Sequence, residues 1–335
     1  MIQTCIGKSV LRENLTREAS RECMEQVLNG EATAAQIAGL AIALRMKGET
    51  PEEIAGMAEA MRRRVPPLRT RRSPLIDTCG TGGDNAGTFN ISTTVAIVTA
   101  SCGVAVAKHG NRAVSSRTGS ADVLESLGVR IDLTPEAAGR SLDFLGITFL
   151  FAPNYHTALR YAAAPRREIG VRTVFNLLGP LTNPAGATRQ LLGVFADTLV
   201  RPVAEVLRGL GSERAWVVHG RDGLDELTVF ARSHVAELLD GKIREFELDP
   251  ASLGLADTDR SAIAGGTPAE NAAKIRSVLE GARGPARDIV VLNTAAALWV
   301  AGVVESVEEG VERATLALES GKAAAKLADL AAFRG

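Results

Sequence analysis

The sequence predicts an α/β protein, with a small all-helical domain plus a larger α/β domain whose mostly parallel central sheet is flanked by helices. Three observations carry this reading. Residues 1–72 hold helix start and stop signals and no strand-like run. From residue 75 short apolar runs alternate with longer helical segments, the rhythm of a parallel-sheet domain. At 335 residues and 46% hydrophobic, the chain can fill one large core or two.

The helical part comes first. Thr33 with Gln36 forms a capping-box signature before AAQIAGLAIALRMK, and Gly48 supplies the stop. Thr50, Pro51 and Glu53 start the next helix, which carries Met57 and Met61 and ends before Pro66 and Pro67. The basic run Arg69 to Arg72 reads as a solvated linker. Strands are then expected at 75–79, 104–107, 129–133, 148–152, 191–195 and 215–219. Helices are expected between them, at 120–127, from Thr134-Pro135-Glu136, and at 198–210. Between residues 155 and 186 the pattern is helical twice over with no strand, so this excursion should leave the sheet and join the N-terminal helices. Residues 234–248 read as a hairpin turning at Asp240-Gly241. Thr267, Pro268 and Glu270 open another capped helix, and helices follow to the end. The expected division is 1–72 with the excursion 155–186 as one domain, and 73–154 with 187–335 as the other.

Charge narrows the function. With 38 Lys plus Arg against 39 Asp plus Glu, the net charge of −1 argues against a general nucleic-acid or anionic-membrane binder. The N-terminus lacks a signal-peptide apolar core, and Cys5, Cys23, Cys79 and Cys102 form no C-x-x-C pair, so a reduced, cytoplasmic protein is expected. Residues 85–107 contain no charge, yet ten of these 23 are Gly, Ser, Thr or Asn, too polar for a membrane span.

Chemistry concentrates in four segments. Asp77-Thr-Cys-Gly80-Thr81-Gly82-Gly83-Asp84 follows a strand and leads into a helix near Asn90. Backbone N–H groups of such a loop, with a helix N-terminus behind them, suit a phosphate, and Thr88, Asn90, Ser92 and Thr93 crowd the same place with donors. It is neither a Walker loop nor a dinucleotide fingerprint. Lys108-His109-Gly110-Asn111-Arg112 ends the next strand at the same sheet edge, followed by Ala113-Val114-Ser115-Ser116. Asp225-Glu226, on a loop after a third strand, offers hard oxygen ligands for Mg²⁺, while no His or Cys spacing suggests a transition metal. Lastly, Arg166, Arg167 and Arg172 stand in one segment where an arginine could clamp a carboxylate, and the residues alone do not say which.

These segments, with Arg117-Thr-Gly-Ser120-Ala-Asp, the Phe175-Asn-Leu-Leu-Gly-Pro run to Asn183-Pro184, Glu270-Asn271 and Leu292-Asn-Thr-Ala, resemble the anthranilate phosphoribosyltransferase family over nearly the whole chain. The resemblance implies transfer of the phosphoribosyl group of 5-phosphoribosyl-1-pyrophosphate to anthranilate in tryptophan biosynthesis. It further implies that Gly80, Gly83, Asp84, Thr88, Asn90, Ile91, Ser92, Thr93, Lys108, His109, Gly110, Asn111, Arg112, Ala113, Val114, Ser115, Ser116 and Ser120 hold the donor in the α/β domain. Ser92, Asp225 and Glu226 would bind Mg²⁺. Gly80, Asn111 and Arg166 would contact anthranilate, Arg166 being preferred because it stands four residues before Gly170, as the family's arginine does. A homodimer formed through the helical domain is also implied, with small-molecule substrates and no nucleic acid or membrane partner. No side chain is expected to act as a catalytic acid, base or nucleophile. The chain departs from the family at Thr157, Leu159 and Pro165. Two neighbouring readings share the fold. A pyrimidine nucleoside phosphorylase would be longer, and a nucleic-acid-binding paralogue should carry a basic groove and lack the arginine at 166.

Overall fold

The computed structural model describes residues 1–113 and 117–335. Four helices open the chain: α1 (Ile2–Val10), α2 (Arg17–Asn29), α3 (Ala34–Lys47) and α4 (Pro51–Arg62). The Thr33 and Thr50 capping boxes form as expected, each hydroxyl accepting from the backbone three residues on while Gln36 or Glu53 reaches back. Glu53 does more than cap: it is fully buried, and its carboxylate also accepts from the Leu15 N–H and from Lys47.

Then come β1 (Ile76–Gly80), α5 (Ile91–Ser101), β2 (Val106–Gly110), α6 (Ser120–Ser126), α7 (Pro135–Leu145) and β3 (Ile147–Phe151). α8 (Ala152–Tyr155) leads into the excursion, which holds α9 (Arg160–Ile169) and α10 (Val174–Leu178), and α9 packs on α2 and α3. β4 (Arg189–Gly193), α11 (Val200–Gly209), β5 (Arg214–Gly220), β6 (Ser233–Leu239) and β7 (Lys242–Leu248) complete the sheet. α12 (Pro268–Leu279), α13 (Pro285–Val300), α14 (Val307–Glu319) and α15 (Lys322–Ala332) end the chain. No helix among the described residues is long and apolar enough to cross a membrane.

The sheet has seven strands in the order β3-β2-β1-β4-β5-β6-β7. The first five run parallel, and the expected hairpin adds β6 and β7 antiparallel. Side chains alternate faces. Trp216 and Val218 join one core with α5, α12, α13, α14 and α15. Ala215 and Val217 join the other, under α11 and the helical domain. The helical domain therefore packs directly on one face of the sheet, which fixes its helices relative to the strand ends.

One expected strand is absent. Residues 129–133 form no ladder, although Val129, Ile131 and Leu133 are all buried. β2 pairs directly with β3, leaving no slot between them, and the alternate burial comes from packing an extended connector against helices. The uncharged stretch 85–107 also gains a plain cause. Apart from Ser92, α5 is buried from Ile91 to Ala100, between β1 and β2 on one side and α13, α14 and α15 on the other.

Candidate active site

Strand order reverses at β1 and β4, so the loops that follow these neighbours diverge and open a crevice at their carboxyl ends. The strands around it end in Gly80, Gly110, Gly193 and Gly220. The reason is space. A methyl on Gly193 would stand 1.5 Å from the Asp225 carbonyl oxygen, and one on Gly80 would stand 2.6 Å from the Asp225 carboxylate. The Asp225 loop thus lies directly over β1 and β4. It is held from behind by Asn293 of α13, whose buried amide donates to the Leu227 carbonyl at 2.8 Å and accepts the Leu227 N–H at 3.1 Å. Gly193→Ala is expected to lift this loop and cost at least about 2 kcal/mol, because backbone oxygen cannot yield as a flexible side chain would. Urea unfolding read beside turnover checks it, and wild-type values for both would refute the packing argument.

The glycine-rich loop then folds onto the same carboxylates. The Gly82 N–H donates to Asp225 Oδ2 at 2.8 Å, and the Asp225 N–H approaches Asp84 Oδ2 at 3.4 Å. Glu226 lies next in the same loop, within the electrostatic reach of Lys108 and beside the start of α5. Crowding has an electrostatic cost. Burial and the Asp84 charge push the Asp225 carboxyl up to about 7, and burial with Asp225 beside it drives Glu226 well above its ordinary value.

Lys108 is the counterweight. It is 3% exposed, and its ammonium donates to the Thr78 carbonyl at 2.6 Å and to Ser92 Oγ at 3.3 Å. Burial lowers its pKa, opposed by Asp77, Cys79 and Glu226. Asp77, on β1, accepts the His109 N–H at 3.1 Å and the Asn183 amide at 2.7 Å, and Asn183 also donates to the Ala107 carbonyl. This clasp ties the end of β2 to the return of the helical excursion. Above it the rings of His109 and His156 meet edge to face at 5.1 Å. Burial pushes His109 down to about 3 and His156 to about 4, so both are neutral at pH 7.

Several expected residues sit differently from the simple picture. Ile91 and Thr93 are buried at the helix start, leaving no exposed side chain to offer a ligand. Thr88 bridges to Ala264, and Gly265 donates to the Gly87 carbonyl, closing the loop from its far side. Asn90 does not cap its helix; its amide donates to the Thr118 carbonyl and accepts from Asn271. Ser120 Oγ donates to the carbonyl of Asn111, and Asn111 itself is exposed. Ala113 donates to Asp122 Oδ2. Arg112, expected to face polyphosphate, is turned onto α6 and paired with Asp122 at 2.9 Å and Glu125 at 2.6 Å, because α6 begins with acidic side chains beside it. Val114, Ser115 and Ser116 lie outside the described residues. Asp77, Asn183 and Asn271 were not among the expected site residues. Asp77 stood inside the quoted glycine motif, and Asn183 and Asn271 in motifs without an assigned role.

On the helical side Arg166 is half-buried over the Phe175 ring, 5.7 Å from its centroid, whereas Arg167 is exposed. Burial lowers the Arg166 pKa. Its guanidinium makes no ion pair among the described residues. A partly desolvated cation without a counterion is suited to an incoming carboxylate.

Among the described residues no three His, Cys, Asp or Glu side chains converge as a ready-made metal cage. The residues present still fit Mg²⁺. It takes one or two carboxylates and completes its shell with water and substrate phosphate, and the mutual repulsion of Asp84, Asp225 and Glu226 is what a bound cation relieves.

Glycine-ended strands at a switch point, with paired carboxylates above them and a helical domain packed on one face of the sheet, define an α/β protein whose crevice suits a phosphorylated ligand. Residues 3–65 match the helical bundle domain of a glycosyl transferase family, and residues 72–324 match its a/b domain. An anthranilate phosphoribosyltransferase of Moorella thermoacetica is 53% identical over 99% of this chain and 98% of its own length. The crystal structure of the Thermus thermophilus anthranilate phosphoribosyltransferase superposes with a TM-score of 0.93 at 48% identity, covering 98% of each chain. The Saccharomyces cerevisiae enzyme, solved in complex with PRPP and Mg, superposes at 0.90 with 26% identity over 98% of this chain and 97% of its own. The chain belongs to this glycosyl transferase family, among the anthranilate phosphoribosyltransferases.

Proposed function

We propose that the protein joins anthranilate to the ribose carbon of 5-phosphoribosyl-1-pyrophosphate, releasing pyrophosphate and giving N-(5-phosphoribosyl)anthranilate for tryptophan biosynthesis. The observation that carries this is the pairing of a phosphate-type cradle at the β1/β4 crevice with Arg166, a half-buried arginine that has no counterion among the described residues.

The anthranilate amine is neutral at pH 7 and attacks as the pyrophosphate leaves, so no strong base is needed. The protein's task is positioning and charge compensation. Backbone N–H groups of Gly83 and Asp84, with the start of α5 behind them, receive the leaving group. Those of Thr81 and Gly82 hold the loop to Gly193 and Asp225, and Lys108 adds a fixed positive charge beside Ser92. Asp225, Glu226 and Ser92 would hold Mg²⁺, which when bound neutralises charge on the departing pyrophosphate. Arg166 binds the acceptor's carboxylate and Asn111 its amine side. His109 and His156, both neutral, add no repulsion to the amine.

In this reading residues 1–72 with 155–186 supply the acceptor side and residues 73–154 with 187–335 the donor side. Two copies associate through the helical domain, where Val10, Leu11 and Met46 are 66%, 72% and 69% exposed on or beside α1 and α3. All four cysteines are unpaired, which suits a reducing cytoplasm.

The test is direct: anthranilate fluorescence should fall when anthranilate, the pyrophosphate donor, Mg²⁺ and protein are mixed. No change at any Mg²⁺ concentration would defeat the proposal. Arg166→Ala is expected to raise the KM for anthranilate by about tenfold or more while leaving that for the donor within about twofold, since only the acceptor carboxylate loses its partner. Steady-state kinetics with each substrate varied separately measures this, and equal loss for both would remove the role.

A further inference from the structure

We infer that Arg172 is a donor-binding residue: its guanidinium grips the diphosphate of the phosphorylated donor from the helical side of the crevice, opposite the backbone N–H groups of the glycine-rich loop. This rests on the proposed transfer reaction and goes beyond the residues that the family resemblance assigned.

Three observations place it there. Arg172 lies in the excursion immediately before α10, yet its side chain crosses to the glycine-rich loop, where Nε is 2.8 Å from the point a β-carbon on Gly83 would occupy. Gly83 has φ +82° and no side chain, so both its backbone conformation and the space above it depend on glycine. The guanidinium also stacks over Phe195, 4.7 Å from the ring centroid, just beyond β4 at the switch point. Phe195 is itself fixed to the same loop, its N–H donating to Thr81 Oγ1 at 3.1 Å.

Charge accounting then separates Arg172 from the other cations at this edge. Lys108 is committed to Thr78 and Ser92 beneath the loop. Arg112 is committed to Asp122 and Glu125. Arg172 is partly exposed, and stacking on Phe195 leaves its N–H edge free, with no hydrogen bond to it among those formed by the described residues. A planar fork beside the Gly83 backbone is an arrangement that can receive two oxygens of a phosphate group at once. Because Arg172 is carried by the helical excursion, a diphosphate bound this way also bridges the two sides of the crevice.

The experiment uses the full-length protein and inorganic pyrophosphate with Mg²⁺ as the probe, followed by titration calorimetry, with steady-state kinetics alongside. Arg172→Gln is expected to weaken pyrophosphate binding about tenfold and to raise the donor KM similarly, while the anthranilate KM at saturating donor changes less than about twofold. Arg172→Lys should recover only part of the loss, since a point charge replaces the fork. Gly83→Ala should produce the same donor-selective defect by pushing Arg172 away. Unchanged pyrophosphate affinity in Arg172→Gln would overturn the inference. So would equal losses for both substrates with a lowered unfolding midpoint, which would mark a merely structural arginine. If the wild-type protein neither binds pyrophosphate nor consumes anthranilate, the reaction itself is misassigned; if it does both and Arg172→Gln matches it, only the role of Arg172 falls.

Discussion

Changing Asp225 to asparagine together with Glu226 to glutamine is expected to lower turnover at fixed Mg²⁺ by on the order of a thousandfold, without lowering stability at pH 7. The two effects separate because the carboxylates are poor neighbours without a cation. Burial and Asp84 hold the Asp225 carboxyl at about 7, and Glu226 lies well above its usual value. An unfolded chain would titrate near 4 at both positions. A carboxyl raised on folding contributes stability that is fully present below its unfolded pKa and is lost as pH rises through the folded value. Metal-free wild-type protein should therefore lose stability as pH rises from about 4, with Asp225 contributing up to about 7 and Glu226, also raised, adding to the loss in the same direction. The double variant, whose amides keep the shape and do not ionise, should show a flatter profile over the same range. Urea midpoints in a chelating buffer, with turnover measured at saturating Mg²⁺, supply both readouts. Undiminished turnover would remove the metal role, and parallel pH profiles would remove the charge-crowding explanation.

How far the site was legible follows from what kind of interaction each residue makes. Helix caps are local, so the Thr33, Thr50 and Thr267 boxes are written in four adjacent letters and form as read. The loops after β1, β2 and β5 were also visible, because glycine, hydroxyl and charged residues cluster where a strand pattern ends. What the letters do not show is which charge is already taken. Arg112 and Arg172 look equally available in sequence, but only the first lands beside acidic residues of a helix that starts a few positions later. Asp77 and Asn183 are 106 positions apart, and their clasp exists only because the excursion returns over β2. The residues 129–133 misled for a related reason. Alternation reports alternate burial, and a connector pressed between helices is buried alternately without any neighbouring strand. The charge-free run 85–107 likewise combined two causes: open donors in the loop, and a helix enclosed on both sides.

Lys108→Met is expected to be the most damaging single change, costing about 3–5 kcal/mol of stability as well as most of the activity. Lys108 is among the most enclosed charges in the protein, and its ammonium faces the Thr78 carbonyl, Ser92 Oγ and the charges of Asp77 and Glu226. Methionine fills a similar volume, so little of the loss should come from a cavity. The loss comes from leaving Asp77 and Glu226 without their common cation and the Thr78 carbonyl without a donor. Asp77 is already pushed up to about 6 by burial, with Lys108 acting to lower it. Without the lysine it should become protonated at pH 7, which weakens its hold on the His109 N–H and on Asn183 and slackens the tie between β2 and the excursion. Adding Asp77→Asn to Lys108→Met should then restore part of the stability, because a neutral partner no longer needs compensation, while activity stays low for want of the cation beneath Ser92. Urea unfolding of the two single variants and the double variant gives the coupling between these positions. A purely additive result would show that Lys108 does not act through the charge of Asp77, and that this pair is not what ties the two strand ends together.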